Sequence, residues 1–276
     1  MDSDTLTPRA PVRLAACSAF GLTDVGRVRR ENQDRFLIDA KLNLVAVADG
    51  MGGHAFGARA SATALDCIVA KLGAHALPRS HADVTLADDP DATVHDASLC
   101  AMRAAADALD HANATLHAMN LREGLAPRRS MGTTLTGIWQ PAGSARIIAF
   151  HIGDSRLYRY RDGALVQLTR DQTLYQQALE HGAIENLPPR NVLLQALGPL
   201  PSITPVVEAH AWLPGDRYLL CSDGLHGEVA HCAIEEVVAG MTAGGSDDAC
   251  RRLVALALEG GGKDNVTVVV VGFEGG

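Results

Sequence analysis

Apolar residues fall along this chain in two rhythms. Runs of strand length, β-branched or continuously apolar, occupy 15–22, 35–39, 43–48, 132–139, 146–151, 157–160, 165–168, 203–210, 217–221 and 265–273, and each predicts a β-strand. Arg161-Asp162-Gly163 reads as the hairpin turn between two of them. Between the runs, Ala64, Leu65, Ile68, Val69 and Leu72 share one face of a predicted helix over 57–72, with Gly73 as its C-cap. Leu99, Met102, Ala106, Leu109 and Leu116 repeat that period over 98–119 as a core-packing stripe. Shorter helices are predicted at 171–181, 233–239 and 247–258, and 74–96 reads as an exposed loop. Strands crowd both ends while helices come in pairs between them. That order predicts an α+β fold of stacked antiparallel sheets with helices on the outer faces, not regular βαβ alternation. Residues 1–14 lack periodicity and are expected to be a loose lead-in to a single domain over 15–274. The stretch 171–197, with Pro188-Pro189, is expected to form a flap.

Five aspartates stand at the edges of these runs. Asp34 leads into Phe36-Leu37-Ile38, and Asp49 follows Leu44-Val45-Ala46-Val47-Ala48. Asp154 follows Ile147-Ile148-Ala149-Phe150, Asp223 follows Tyr218-Leu219-Leu220, and Asp264 precedes Val266. Taken singly, Asp-Gly and Asp-Ser are ordinary turn dipeptides. Taken together, carboxylates delivered from several strand ends can converge, and a buried strand holds its terminal side chain closely. Oxygen-only donors suit Mg²⁺ or Mn²⁺ better than Zn²⁺. Arg27, Arg29 and Arg30 precede Asp34, and a guanidinium offers a planar fork for phosphate oxygens.

Composition narrows the field. The 276 residues are 47% hydrophobic, enough for a sizeable core. The net charge of −8 disfavours a nonspecific grip on nucleic acid or an anionic membrane. The six cysteines are scattered without a C-x-x-C pair, no signal peptide is evident and no apolar stretch approaches the roughly 20 residues of a membrane span, so a soluble, cytoplasmic, monomeric protein with free thiols is expected. The eleven histidines form no H-E-x-x-H, and His75/His81 and His111/His117 fall on different helix faces, so surface positions are expected. No nucleophile elbow, P-loop or dinucleotide fingerprint is present.

In order, the chain reads Thr23-Asp24-Val25-Gly26, Val28-Arg29, Asn32-Gln33-Asp34, Val47-Ala48-Asp49-Gly50-Met51-Gly52-Gly53-His54, Met131-Gly132-Thr133-Thr134, His151-Ile152-Gly153-Asp154-Ser155-Arg156, Cys221-Ser222-Asp223-Gly224 and Lys263-Asp264-Asn265-Val266-Thr267. From about residue 18 to 272 these phrases resemble the metal-dependent serine/threonine phosphatases of the protein phosphatase 2C type, in their compact bacterial form. The resemblance implies a four-layer αββα sandwich. It also implies hydrolysis of phosphoserine and phosphothreonine by a water activated at a dinuclear Mg²⁺ or Mn²⁺ centre, opposing a bacterial Ser/Thr kinase. By the same resemblance Asp49 bridges two metals, Gly50 lends its carbonyl, Asp223 and Asp264 hold one metal, and Asp34 serves the centre directly or through water. Asp154 with Asp223 matches a third, weaker metal position, and Arg29 matches the phosphate-binding arginine. Two cations and an arginine would offset charge in an in-line displacement that needs no protein nucleophile.

The chain departs from the family pattern at Gln33, where Glu is frequent, at Ala58, where the pattern has Glu, and at Gln172, where a histidine often follows aspartate. These touch the rim and substrate preference and leave the implied ligands intact. Met51 stands where animal members carry a histidine and cannot donate a proton, which leaves the general acid between His54 and a metal-bound water.

Overall fold

The protein is described here by a computed structural model over residues 10–53, 55–76, 97–125, 130–142, 144, 146–242 and 244–273. In chain order its elements are β1 (Val12–Arg13), β2 (Cys17–Asp24), β3 (Arg35–Asp39), β4 (Leu44–Ala48), β5 (Gly50–Met51), α1 (Ala55–Ala76), α2 (Ala97–Arg122), β6 (Gly132–Thr133), β7 (Leu135–Trp139), β8 (Arg146–Ile152), β9 (Arg156–Arg161), β10 (Ala164–Gln167), α3 (Leu174–Glu180), β11 (Val206–Ala211), β12 (Arg217–Cys221), α4 (Asp223–His226), α5 (His231–Ala239), α6 (Ser246–Glu259) and β13 (Val266–Phe273). One sheet has the order β1-β2-β13-β12-β9-β10 and the other β11-β8-β7-β4-β3, with every pairing antiparallel.

Alternation along the central strands explains how these sheets stack. In β4, Leu44, Ala46 and Ala48 pack with Ala64, Ile68 and Leu72 of α1 and Ala105, Leu109 and Leu116 of α2, whereas Val45 and Val47 turn to the opposite sheet. In β13, Val266, Val268 and Val270 meet Ile234 and Val238 of α5 and Leu253 and Ala257 of α6, while Val269, Val271 and Phe273 face inward. Strands covered on both faces read as continuous apolar runs, which is the pattern that marked 44–48 and 266–270 in the sequence. The fold is therefore a sandwich of two antiparallel sheets with helices on both outer faces. No helix among the described residues is long and apolar enough to cross a membrane.

Several local expectations shift. The six-stranded sheet begins inside the expected lead-in, because Val12 pairs with Ala19 and Leu14 is buried. Gly73 lies inside α1 rather than at its cap, and a Cβ there would meet only the Leu42 methyls at 4.0 Å, an ordinary contact. The run at 132–139 divides into β6 and β7 at Thr134, and β6 pairs with β5 outside both large sheets. Helix α3 starts at Leu174, where Thr173 accepts the Gln176 N–H. His151 is buried, against the surface expectation: its Nδ1 bonds the Thr136 hydroxyl at 2.8 Å and its Nε2 the Arg170 carbonyl at 3.1 Å. Burial lowers its pKa to about 4, so the ring is neutral. Of the loop expected at 74–96, residues 77–96 lie outside the described residues.

Candidate metal and phosphate site

The five aspartates come from both sheets. Asp34 precedes β3, Asp49 follows β4 and Asp154 follows β8, all in the five-stranded sheet; Asp223 opens α4 after β12, and Asp264 lies just before β13. Asp49, Asp154, Asp223 and Asp264, with Gly50 and Arg29, line one cleft of about 570 Å³. Arg30, Thr134, Asn191 and Leu193 complete much of its wall. Asp34 sits behind that wall at 1% exposure.

Backbone and hydroxyl contacts fix each position. The Asp49 N–H donates to Thr134 Oγ1 at 3.0 Å, and its carbonyl accepts the Thr134 N–H and the Thr133 hydroxyl, each at 2.9 Å. A Cβ at residue 50 would lie 2.1 Å from the Gly57 carbonyl oxygen and 2.6 Å from that of Gln33, so only glycine lets the strand, α1 and the Asp34 loop meet. Gly153 takes φ +106° against the Thr134 side chain, which aims Asp154 into the cleft. Ser222 donates to Asp34 Oδ2 at 2.7 Å while accepting the Thr267 N–H at 3.0 Å. Asn265 accepts the Gln33 N–H at 2.9 Å and donates to the Val25 and Glu31 carbonyls, tying the arginine-bearing loop to β13. Arg29 pairs with Asp264 Oδ2 at 2.7 Å, and that bond raises the guanidinium pKa further.

The carboxylates are electrostatically unhappy as a group. Burial, followed by repulsion from Asp223, raises the Asp154 pKa to about 8. Burial also raises Asp34 to about 7, partly offset by the Ser222 hydroxyl, and Asp223 to about 6, where Asp264 adds repulsion. Asp49 is pushed well above the usual range by burial and then by Asp34 and Asp223. Asp34 Oδ1 and Asp223 Oδ1 are buried without a partner. Orphaned anionic oxygens of this kind are costly unless a cation joins them. The donors are all oxygen, the chemistry of a hard divalent ion. Among the described residues no three Asp, Glu, His or Cys side chains are gathered closely enough to hold an ion on their own. An ion here would complete its shell with carbonyl oxygen and solvent, as Mg²⁺ does when it keeps several waters.

Residues 27–252 match the family model described as Protein phosphatase 2C. This chain belongs to that family. It is 37% identical to the serine/threonine protein phosphatase PstP of Mycobacterium tuberculosis over 90% of its own length, spanning 43% of that relative. It is 32% identical to the protein phosphatase PhpP of Streptococcus pneumoniae, covering 91% of this chain and 95% of that one. A crystal structure of the catalytic domain of PstP in complex with two manganese ions superposes with a TM-score of 0.74 at 33% identity, over 94% of this chain and 99% of that one.

Within the family frame, two site features escaped the sequence reading. Ser222, read in the sequence only as part of the Asp223 phrase, stands at the N-terminus of α4 and donates to Asp34. Asn191 and Leu193 carry no motif, and only the fold brings them from 37 and 39 residues downstream of Asp154 to the cleft. His54, a candidate general acid, lies outside the described residues. Gln33 lines the cleft and packs its amide against Gly57 at the start of α1.

Proposed function

We propose that this chain is a metal-dependent phosphoprotein phosphatase that hydrolyses phosphoserine and phosphothreonine. The observation that carries it is the convergence of four aspartates, Asp49, Asp154, Asp223 and Asp264, beside Arg29 in one cleft, with Asp34 behind its wall and buried oxygens of Asp34 and Asp223 left unpartnered. The PstP complex with two manganese ions supports Mn²⁺ or Mg²⁺ as the group held here. Asp49 would bridge two ions, with the Gly50 carbonyl on one of them. Asp223 and Asp264 would hold one ion, Asp34 would support the same centre from behind the wall, and Asp154 with Asp223 would offer a third, weaker position. When bound, such ions supply an acidified water near neutral pH and charge compensation for the phosphoryl group.

The chain's own residues do the rest. Arg29, on the exposed loop anchored by Asn265, binds and orients phosphate oxygens, and engaging Asp264 in a metal shell would free its guanidinium for that task. Thr133 and Thr134 hold the Asp49 backbone rigid, which preserves the carboxylate geometry through turnover. The physiological substrates are phosphorylated proteins, and a partner Ser/Thr kinase supplies them. Asp49→Asn tests the reading. Phosphate release from a phosphothreonine peptide should fall at least about a hundredfold with the far-UV circular dichroism unchanged; full activity in the variant overturns it.

A further inference from the structure

Gln172, where the chain departs from the family's frequent histidine, is unused by the roles above, yet it is only 7% exposed. Its Oε1 accepts the Gly153 N–H at 2.9 Å, and its own N–H donates to the Gly153 carbonyl at 2.8 Å. Its carbonyl in turn accepts the Leu194 N–H at 2.7 Å. Alongside, the Leu174 N–H donates to the Val192 carbonyl at 2.9 Å, and Thr173 and Leu193 form an antiparallel bridge. One residue thus holds two pieces of the cleft wall: the turn that presents Asp154, and the extended segment 191–194. In that segment Asn191 and Leu193 face the cleft, while Val192 and Leu194 are exposed.

The geometry points to Gln172 as a positioning residue that sets the distance between the rim segment 191–194 and the carboxylates, and thereby the grip on the peptide around the phosphorylated side chain. The inference rests on the proposed phosphatase reading. Gly153 explains why a tie is needed here: at φ +106° the turn occupies backbone space open chiefly to glycine, so neighbours must hold it. The Gln172 amide does so from one side, and His226 does so from the other through the Asp154 carbonyl at 3.1 Å. Without the Oε1 acceptor, the buried Gly153 N–H has to find another partner, and the cheapest route is movement of the turn relative to the rim. A phosphopeptide reaches Asn191 and Leu193, whereas p-nitrophenyl phosphate fills only the phosphate end of the cleft.

The test uses Gln172→Met, which keeps length and removes the acceptor, and Gln172→His, which restores a ring nitrogen acceptor. Hydrogen exchange is followed in peptides covering 150–156 and 190–197, together with steady-state kinetics at saturating Mn²⁺. In Gln172→Met, which keeps the main-chain bonds to Gly153 and Leu194, exchange should quicken in both segments and KM for a phosphothreonine peptide should rise by about threefold to tenfold, the upper figure being the most that one lost buried hydrogen bond within the protein can contribute. Turnover of p-nitrophenyl phosphate should stay within about twofold, and Gln172→His should recover most of the peptide KM. Unchanged exchange in both segments, or equal losses on the two substrates, overturns the inference. A wild-type protein inactive on both substrates would remove the phosphatase reading instead, and the exchange result would then decide the tie by itself.

Discussion

Asp154→Asn isolates the cost of burying one carboxylate beside its neighbours in the aspartate cluster. Asp154 is 6% exposed, and its pKa stands near 8 against an ordinary value of 3.8. A raised carboxylate pKa means that the folded state binds the proton more tightly than the unfolded state. The stabilisation is complete below about pH 4 and is lost as pH rises through about 8. At ~1.4 kcal/mol per pKa unit, moving from pH 5 to pH 7.5 removes up to about 3 kcal/mol from the metal-free protein through this one group. Asparagine carries no charge at either pH and abolishes that contribution. Urea unfolding in EDTA, read by the fluorescence of Trp139 and Trp212, should show wild type losing stability steadily over this window. The variant should lose about 2–3 kcal/mol less, the remaining slope coming from Asp34, Asp49 and Asp223. Parallel pH profiles for the two proteins would refute the claim that burial, with added repulsion from Asp223, holds the Asp154 proton in the folded state.

Further predictions follow from the same geometry. Mn²⁺ should raise the melting temperature more at pH 7.5 than at pH 5.5, because protons compete for Asp34, Asp154 and Asp223, and calorimetric binding should weaken over the same range. Arg29→Ala should raise KM for a phosphopeptide about tenfold or more with a smaller change in kcat, and Arg29→Lys should restore only part of it, since ammonium lacks the planar fork. Leu109→Ala, at a fully buried site between α2 and the five-stranded sheet, should destabilise by about 2–5 kcal/mol in urea unfolding while leaving Mn²⁺ affinity unchanged.

The layers of the fold were legible in the sequence because both sheets are covered on both faces, so β4 and β13 announce themselves as unbroken apolar runs and α1 and α2 as helical stripes. The aspartates were legible for a related reason: each abuts such a run. What stayed hidden was set by contacts remote along the chain. Asp223-Gly224, taken alone an ordinary turn dipeptide, opens α4, and the Ser222 before it bonds Asp34 and Thr267 from distant parts of the chain. The β5–β6 pairing is two residues long and depends on the Asp49 and Thr134 backbones meeting, which no local period records. Gly73 carries a cap signal, but the helix continues through it to Ala76. Val12 has too few apolar neighbours in sequence to mark a strand and acquires one from Ala19 across the β1–β2 turn.

The central claim is that these aspartates make a hard-cation site for cleaving phosphoserine and phosphothreonine esters. Phosphate release should be measured from matched phosphothreonine and phosphotyrosine peptides with Mn²⁺, Mg²⁺ or EDTA, on wild type and Asp49→Asn. The account predicts release mainly from phosphothreonine, with either metal, abolished by EDTA and by the substitution. Release that persists in EDTA, or none under any condition, would contradict it.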